Sequence, residues 1–169
     1  GLLEECARHG STAAGERLGL LLIREERSAE AVPWLMPAAC AGGVDAQLAL
    51  GRLYATKGGR GVTGVPHRYK NAIAWFERAA REGSAEAWLE LSRLYSLRSC
   101  SLRDPWTARQ CLERAAELGH AEAQYRCGKA RLRRSLREDN EIAAAAWLLR
   151  AAAAGHAEAL RLVREHWPS

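Results

Sequence analysis

Apolar residues along this chain recur at helical spacing and hardly anywhere alternate as a half-buried strand requires. In the stretch 68–82, Ala72, Trp75, Phe76, Ala79 and Ala80 fall at i, i+3, i+4, i+7 and i+8, which is one stripe on a helix. Gly83 ends that stripe, as a residue tolerant of positive φ does just past a helix, and Ser84 offers a hydroxyl to cap the next one. A second stripe follows, with Ala87, Leu91, Leu94 and Tyr95 facing inward and the small Ser92 allowing close helix approach. The same signals predict ten helices, at 2–9, 12–25, 28–41, 44–57, 67–82, 84–98, 104–118, 120–136, 140–154 and 156–166. Asp104-Pro105 supplies an N-cap and a proline at the first helical position, and Asp139 sits just before a helix expected over 141–154.

The two-helix unit repeats. WFERAAREGSAEAWLELSRLY from Trp75 aligns without gaps to WLMPAACAGGVDAQLALGRLY from Trp34, CLERAAELGHAEAQYRCGKAR from Cys111 and WLLRAAAAGHAEALRLVREHW from Trp147. A weaker copy starts at Leu2. The shared glycine falls at Gly10, Gly42, Gly83, Gly119 and Gly155, with spacings of 32, 41, 36 and 36 residues. Periods of this size mark helical solenoids. The position of Ser92 is Gly19, Gly51 and Gly128 in other copies. We therefore expect one domain over 1–169, with units of approximately 1–27, 28–66, 67–103, 104–138 and 139–169.

One copy carries a recognisable pattern nearly in full: Ala46-Leu50-Gly51-Tyr54, Gly59-Arg60-Gly61-Val62, Asn71-Ala72-Trp75-Phe76 and Arg78-Ala79-Ala80-Gly83. It resembles the Sel1-like repeat family, a relative of the tetratricopeptide repeat. The G-x-G-V loop occurs only in this copy, which has Arg68 where the family usually has Asp. The resemblance implies an all-α fold, a right-handed α/α superhelical solenoid whose first helices line a concave surface. It also implies a non-catalytic protein–protein interaction scaffold, serving as a bacterial envelope or secretion-related adaptor. The alternatives are an immunity protein that neutralises a secreted toxic effector, or the regulatory solenoid domain of a larger enzyme. A cysteine-rich branch of the family bridges positions equivalent to 80 and 87, and none of Cys6, Cys40, Cys100, Cys111 and Cys127 falls there.

Composition agrees with helices: 33 Ala and 23 Leu stand against 5 Val, 3 Ile and 4 Thr. No apolar run approaches the ~20 residues of a membrane-spanning helix. The cysteines show no C-x-x-C and no histidine partner at zinc spacing, so no metal or other cofactor is expected. Cys111 and Cys127 align with apolar core positions, whereas Cys100 is the expected exposed thiol. His120 and His156 share one repeat position just after the terminating glycine, which suits capping or packing. The His120-Ala121-Glu122 and His156-Ala157-Glu158 strings lack the downstream cysteines of a zinc deaminase. Without a nucleophile elbow, a phosphate loop or a dinucleotide fingerprint, an enzyme is not expected.

What remains is surface. The formal charge is +5, from 22 Arg and 3 Lys against 20 acids, with no basic tail of the kind that coats nucleic acid. Arginine in such excess, with abundant alanine and glycine, points to a bacterial source. Gly1 in place of a methionine suggests a processed or excised chain; the family resemblance, not this residue, implies an envelope or periplasmic setting ahead of the cytoplasm. On the helix that follows each shared glycine, positions equivalent to 86, 90, 93 and 97 share one face. That face carries Arg52, Arg93 and Lys129 in three successive copies. In the fourth copy it continues through Arg126, Arg133 and Arg137. These six are the candidate partner-binding residues, suited to an acidic segment of another protein.

Overall fold

The computed structural model describes residues 5, 9–56, 69–97, 102–133 and 138–167. Among them every regular element is helical: α1 Thr12–Arg24, α2 Ser28–Cys40, α3 Val44–Ala55, α4 Tyr69–Arg81, α5 Ala85–Ser96, α6 Pro105–Glu117, α7 Ala121–Leu132, α8 Glu138–Ala153 and α9 Ala157–His166. Apart from Glu5 and His9, the expected helix at 2–9 lies outside the described residues, as do the Gly59–Val62 loop, Arg68, Cys6, Cys100 and Arg137.

The turns come from backbone chemistry. Gly10, Gly42, Gly83, Gly119 and Gly155 all take positive φ, between 84° and 98°. A Cβ there meets nothing within 4 Å, so left-handed backbone rather than space selects glycine. At Gly83 the turn closes as a Schellman motif, Ser84 N–H donating to Ala79 C=O (3.1 Å) and Gly83 N–H to Ala80 C=O (3.0 Å). Ser84 Oγ then accepts from Ala87 N–H at 3.2 Å, and Asp104 caps α6 by accepting from the amides of Trp106 and Thr107. Pro33 and Pro37 lie inside α2 on its exposed side, where their missing amide hydrogens leave the helix continuous.

Two boundaries differ from expectation. α8 starts at Glu138, so Asp139 lies in its first turn rather than ahead of it. α7 ends at Leu132 with Arg133 as its C-cap.

The chain divides into two compact units, 1–87 and 88–169. In the first, Leu18, Leu22, Leu35, Leu50 and Leu53 form the core with small alanines between them, and Val32, Ile23 and Tyr54 pack against it. The alanines let helices approach closely, and so does Gly51. A Cβ there would stand 2.5 Å from Phe76 Cε1. In the second unit one cluster gathers Leu89, Ala115, Ala116, Ala123 and Cys127, and another Tyr125, Leu148, Ala151 and Ala159. Buried Gln47 and Gln124 occupy the same repeat position and donate through Nε2 to Ala39 C=O (2.9 Å) and Ala116 C=O (3.1 Å). Each ties the start of one helix to the end of the helix before it.

Candidate protein-binding surface

The predicted surface lies on the first helix of each family repeat, α3, α5, α7 and α9. The same helices carry an acid in the first turn: Asp45, Glu86, Glu122 and Glu158. Two of these acids, Glu86 and Glu122, each take an arginine. In the first unit Arg52 forms an ion pair with Glu86, one repeat onward. In the second, Arg93 turns to Glu90 of its own helix (3.1 Å), and Arg126 Nε donates to Glu122 one turn back. Three of the six predicted residues are thus held by carboxylates of the chain itself.

Lys129 and Arg133 differ. Lys129 Nζ donates to Tyr125 OH (2.8 Å) and lies 5.0 Å from the centre of that ring, an arrangement that leaves its charge uncompensated. Arg133, exposed at the end of α7, makes no ion pair among the described residues. Both belong to the second unit. Reading the sequence for basic positions left unweighed the acids on the same face, Glu122 among them. The signal was present, since the first-turn acids recur at the repeat period.

Beneath this face lies a structural cluster that the recurring histidine position had suggested. His156 caps α9, its Nδ1 accepting from Ala159 N–H at 3.2 Å. The proton therefore sits on Nε2, which donates to Glu122 Oε2 at 2.9 Å. The imidazole also stacks on Tyr125, with ring centroids 4.5 Å apart. Burial works to raise the Glu122 carboxyl, but hydrogen bonds from His156 and Arg126 outweigh it and hold the group below the usual range. His120, at the same repeat position, makes no side-chain capping bond.

No catalytic arrangement emerges from the described residues. Cys111 and Cys127 are buried, and burial, with Glu113 nearby, pushes the Cys127 thiol up to about 11 against the pull of Arg131 and Arg109. It stays protonated and unreactive. Cys40 is exposed. Among the described residues no three of His, Cys, Asp and Glu gather as a metal site, and no helix is long and apolar enough to cross a membrane.

Helix pairs closed by Schellman glycines, repeated with small residues at each crossing, define an α-helical solenoid repeat protein. The family model of the Sel1 repeat matches residues 44–84, 85–120 and 121–156, and the chain belongs to that family. A Sel1 repeat protein from Oxalobacter formigenes is 27% identical with a TM-score of 0.81, over 99% of this chain and 68% of that one. A protective antigen present in uropathogenic Escherichia coli strains, which displays an SLR fold, is 22% identical with a TM-score of 0.76. That match covers 99% of this chain and 36% of the antigen, so this chain spans about a third of its length. No curated protein matches the chain. Sel1 repeats commonly serve as protein–protein interaction scaffolds, and the fold is typically non-catalytic.

Proposed function

We propose that this chain is a non-catalytic scaffold in a bacterial envelope or secretion assembly, recognising an acidic segment of another protein on the exposed faces of its first-position helices. Lys129 and Arg133 are the anchors, and Arg52, Arg93 and Arg126 are secondary contacts; Arg137 extends the set by its place in the sequence. The observation that carries this reading is the pair of cations on α7 and its C-cap that have no carboxylate partner among the described residues, whereas the other two arginines of that helix, Arg126 and Arg131, are paired with Glu122 and Glu113. A charge left unpaired on a rigid helix attracts a carboxylate and fixes its register, at a strength that depends on salt. The 27% identical bacterial Sel1 protein supports the bacterial setting.

The test is charge reversal. A partner captured from a bacterial lysate and purified should bind the Lys129→Glu, Arg133→Glu double variant at least tenfold more weakly at low salt, with the helical spectrum unchanged. Equal affinity for the variant refutes the assignment of the anchors. A captured hydrolase, inhibited in the complex, favours the immunity role over the adaptor.

A further inference from the structure

The repeat alignment exposes one place where the core is missing. In the first unit the space between α1, α2 and α3 is filled by Leu35, Leu50 and Leu53, with Ile23, Val32 and Tyr54 against them. The equivalent space in the second unit, between α5, α6 and α7, is a cavity of about 400 Å³. Leu112 keeps the place of Leu35, but Cys127 stands for Leu50 and Ala130 for Leu53. Ser96, Arg109 and Arg131 replace Ile23, Val32 and Tyr54. The fold has lost methyl groups and an aromatic ring there and gained two guanidinium groups.

The charges around this cavity do not balance. Arg109 and Arg131 share one carboxylate, Glu113, at 3.2 and 3.4 Å. Arg103, a third guanidinium on the lining, makes no ion pair among the described residues. Three cations therefore face one acid over an apolar floor of Leu112, Ala108 and Cys127. Arg131 is half-buried while Arg103 and Arg109 are exposed at the rim; guanidinium groups left under-paired there favour a second carboxylate, which they can take by paired N–H donation. The floor favours an apolar side chain, since filling it removes that surface from water.

The geometry points to a peptide-binding pocket in the second unit, which seats an apolar side chain of a partner segment while Arg103 and Arg131 hold the carboxylate of the neighbouring residue. None of the anchors assigned to α7 above lines this pocket, so it stands whether or not they do.

The probe is the blocked dipeptide acetyl-Phe-Glu-amide, titrated into the whole chain with amide NMR shifts as readout. Saturable shifts should cluster at Ser92, Ser96, Leu112, Cys127 and Ala130. Acetyl-Phe-Gln-amide and acetyl-Ala-Glu-amide should each bind at least fivefold more weakly, as should acetyl-Phe-Glu-amide to Arg103→Gln. Ala130→Leu restores the residue that Leu53 supplies in the first unit. It should raise Tm by a few degrees and abolish binding. The assignment is overturned if Ala130→Leu lowers Tm, because the space is then already filled. It is equally overturned if the shifts scatter, if the Gln probe binds as well as the Glu probe, or if inorganic phosphate competes at equal affinity.

Discussion

Replacing His156 with alanine removes three contacts at once, and the structure allows each to be weighed. The ring is 16% exposed and bridges 34 residues to Glu122. Loss of the cap on Ala159 N–H costs about 1 kcal/mol. Loss of a hydrogen bond to a carboxylate that is 32% exposed costs about 1 kcal/mol more, at the low end for a charged partner. The Tyr125 stack adds about 0.5–1 kcal/mol. Neighbouring contacts do not add fully, so His156→Ala should lose about 2 kcal/mol. Asparagine at 156 keeps a capping oxygen but neither the stack nor the bridge, and should recover about 1 kcal/mol of the loss. The assay is urea unfolding followed by circular dichroism. Exchange of the Ala159 amide provides a local reading, because repeat arrays can unfold in stages. A loss below about 0.5 kcal/mol, or asparagine no better than alanine, refutes the capping argument.

Other positions give sharper signs. Gly51→Ala gains about 1 kcal/mol of helix propensity but drives a Cβ into the Phe76 ring, and should lower stability by about 1–2 kcal/mol in a thermal melt; a stabilised variant shows that the helices can part. Gly83→Ala meets no atom yet forces left-handed backbone, so it should cost about 1–2 kcal/mol with an unchanged helix content by circular dichroism. Asp104, held low by its hydrogen bonds with Thr107, and Glu122, held low by His156 and Arg126, both have depressed folded values. Their stabilisation is complete above the ordinary carboxylate range and is lost as pH falls through those values. Urea midpoints should therefore drop below about pH 4.5, and Glu122→Gln should flatten part of that fall; an unaltered slope in the variant shows that Glu122 does not contribute.

The elements were legible because each signal is local. A glycine at the repeat period, a small residue at each crossing and an aspartate ahead of a proline act on the backbone within a few residues. They placed α1 through α9 to within a few residues at each end. The ion pairs were not legible in the same way. Arg52 meets Glu86 across a repeat, while Arg93, its equivalent, meets Glu90 in its own helix. Two long side chains at equivalent positions choose different acids according to rotamer and neighbour, and no count of basic residues contains that choice. The cavity was legible in principle, since it follows from Leu50, Leu53 and Tyr54 becoming Cys127, Ala130 and Arg131. Searching for what the copies share passes over such departures, and the departures are where one repeat acquires chemistry the others lack.

The pairing also ranks the cations for any acidic partner. Arg52 and Glu86 are 50% and 42% exposed, and Arg93 is 43% exposed. The Arg52–Glu86 pair, this exposed, is worth about 0–1 kcal/mol, so opening it is cheap. Glu90 is only 14% exposed, and its pair with Arg93 opens less readily. In either case a partner carboxylate only exchanges one acid for another. The net gain at Arg52 and Arg93 is near zero. Lys129 and Arg133 lose no carboxylate when they bind, and they keep the full electrostatic gain. With poly-L-glutamate as the probe at low salt, Lys129→Gln with Arg133→Gln should weaken binding severalfold more than Arg52→Gln with Arg93→Gln. Each pair removes two positive charges, so the total charge is matched. Equal losses for the two pairs mean that the surface is read only as net charge, and the internal ion pairs then play no part in choosing where an acidic segment lands.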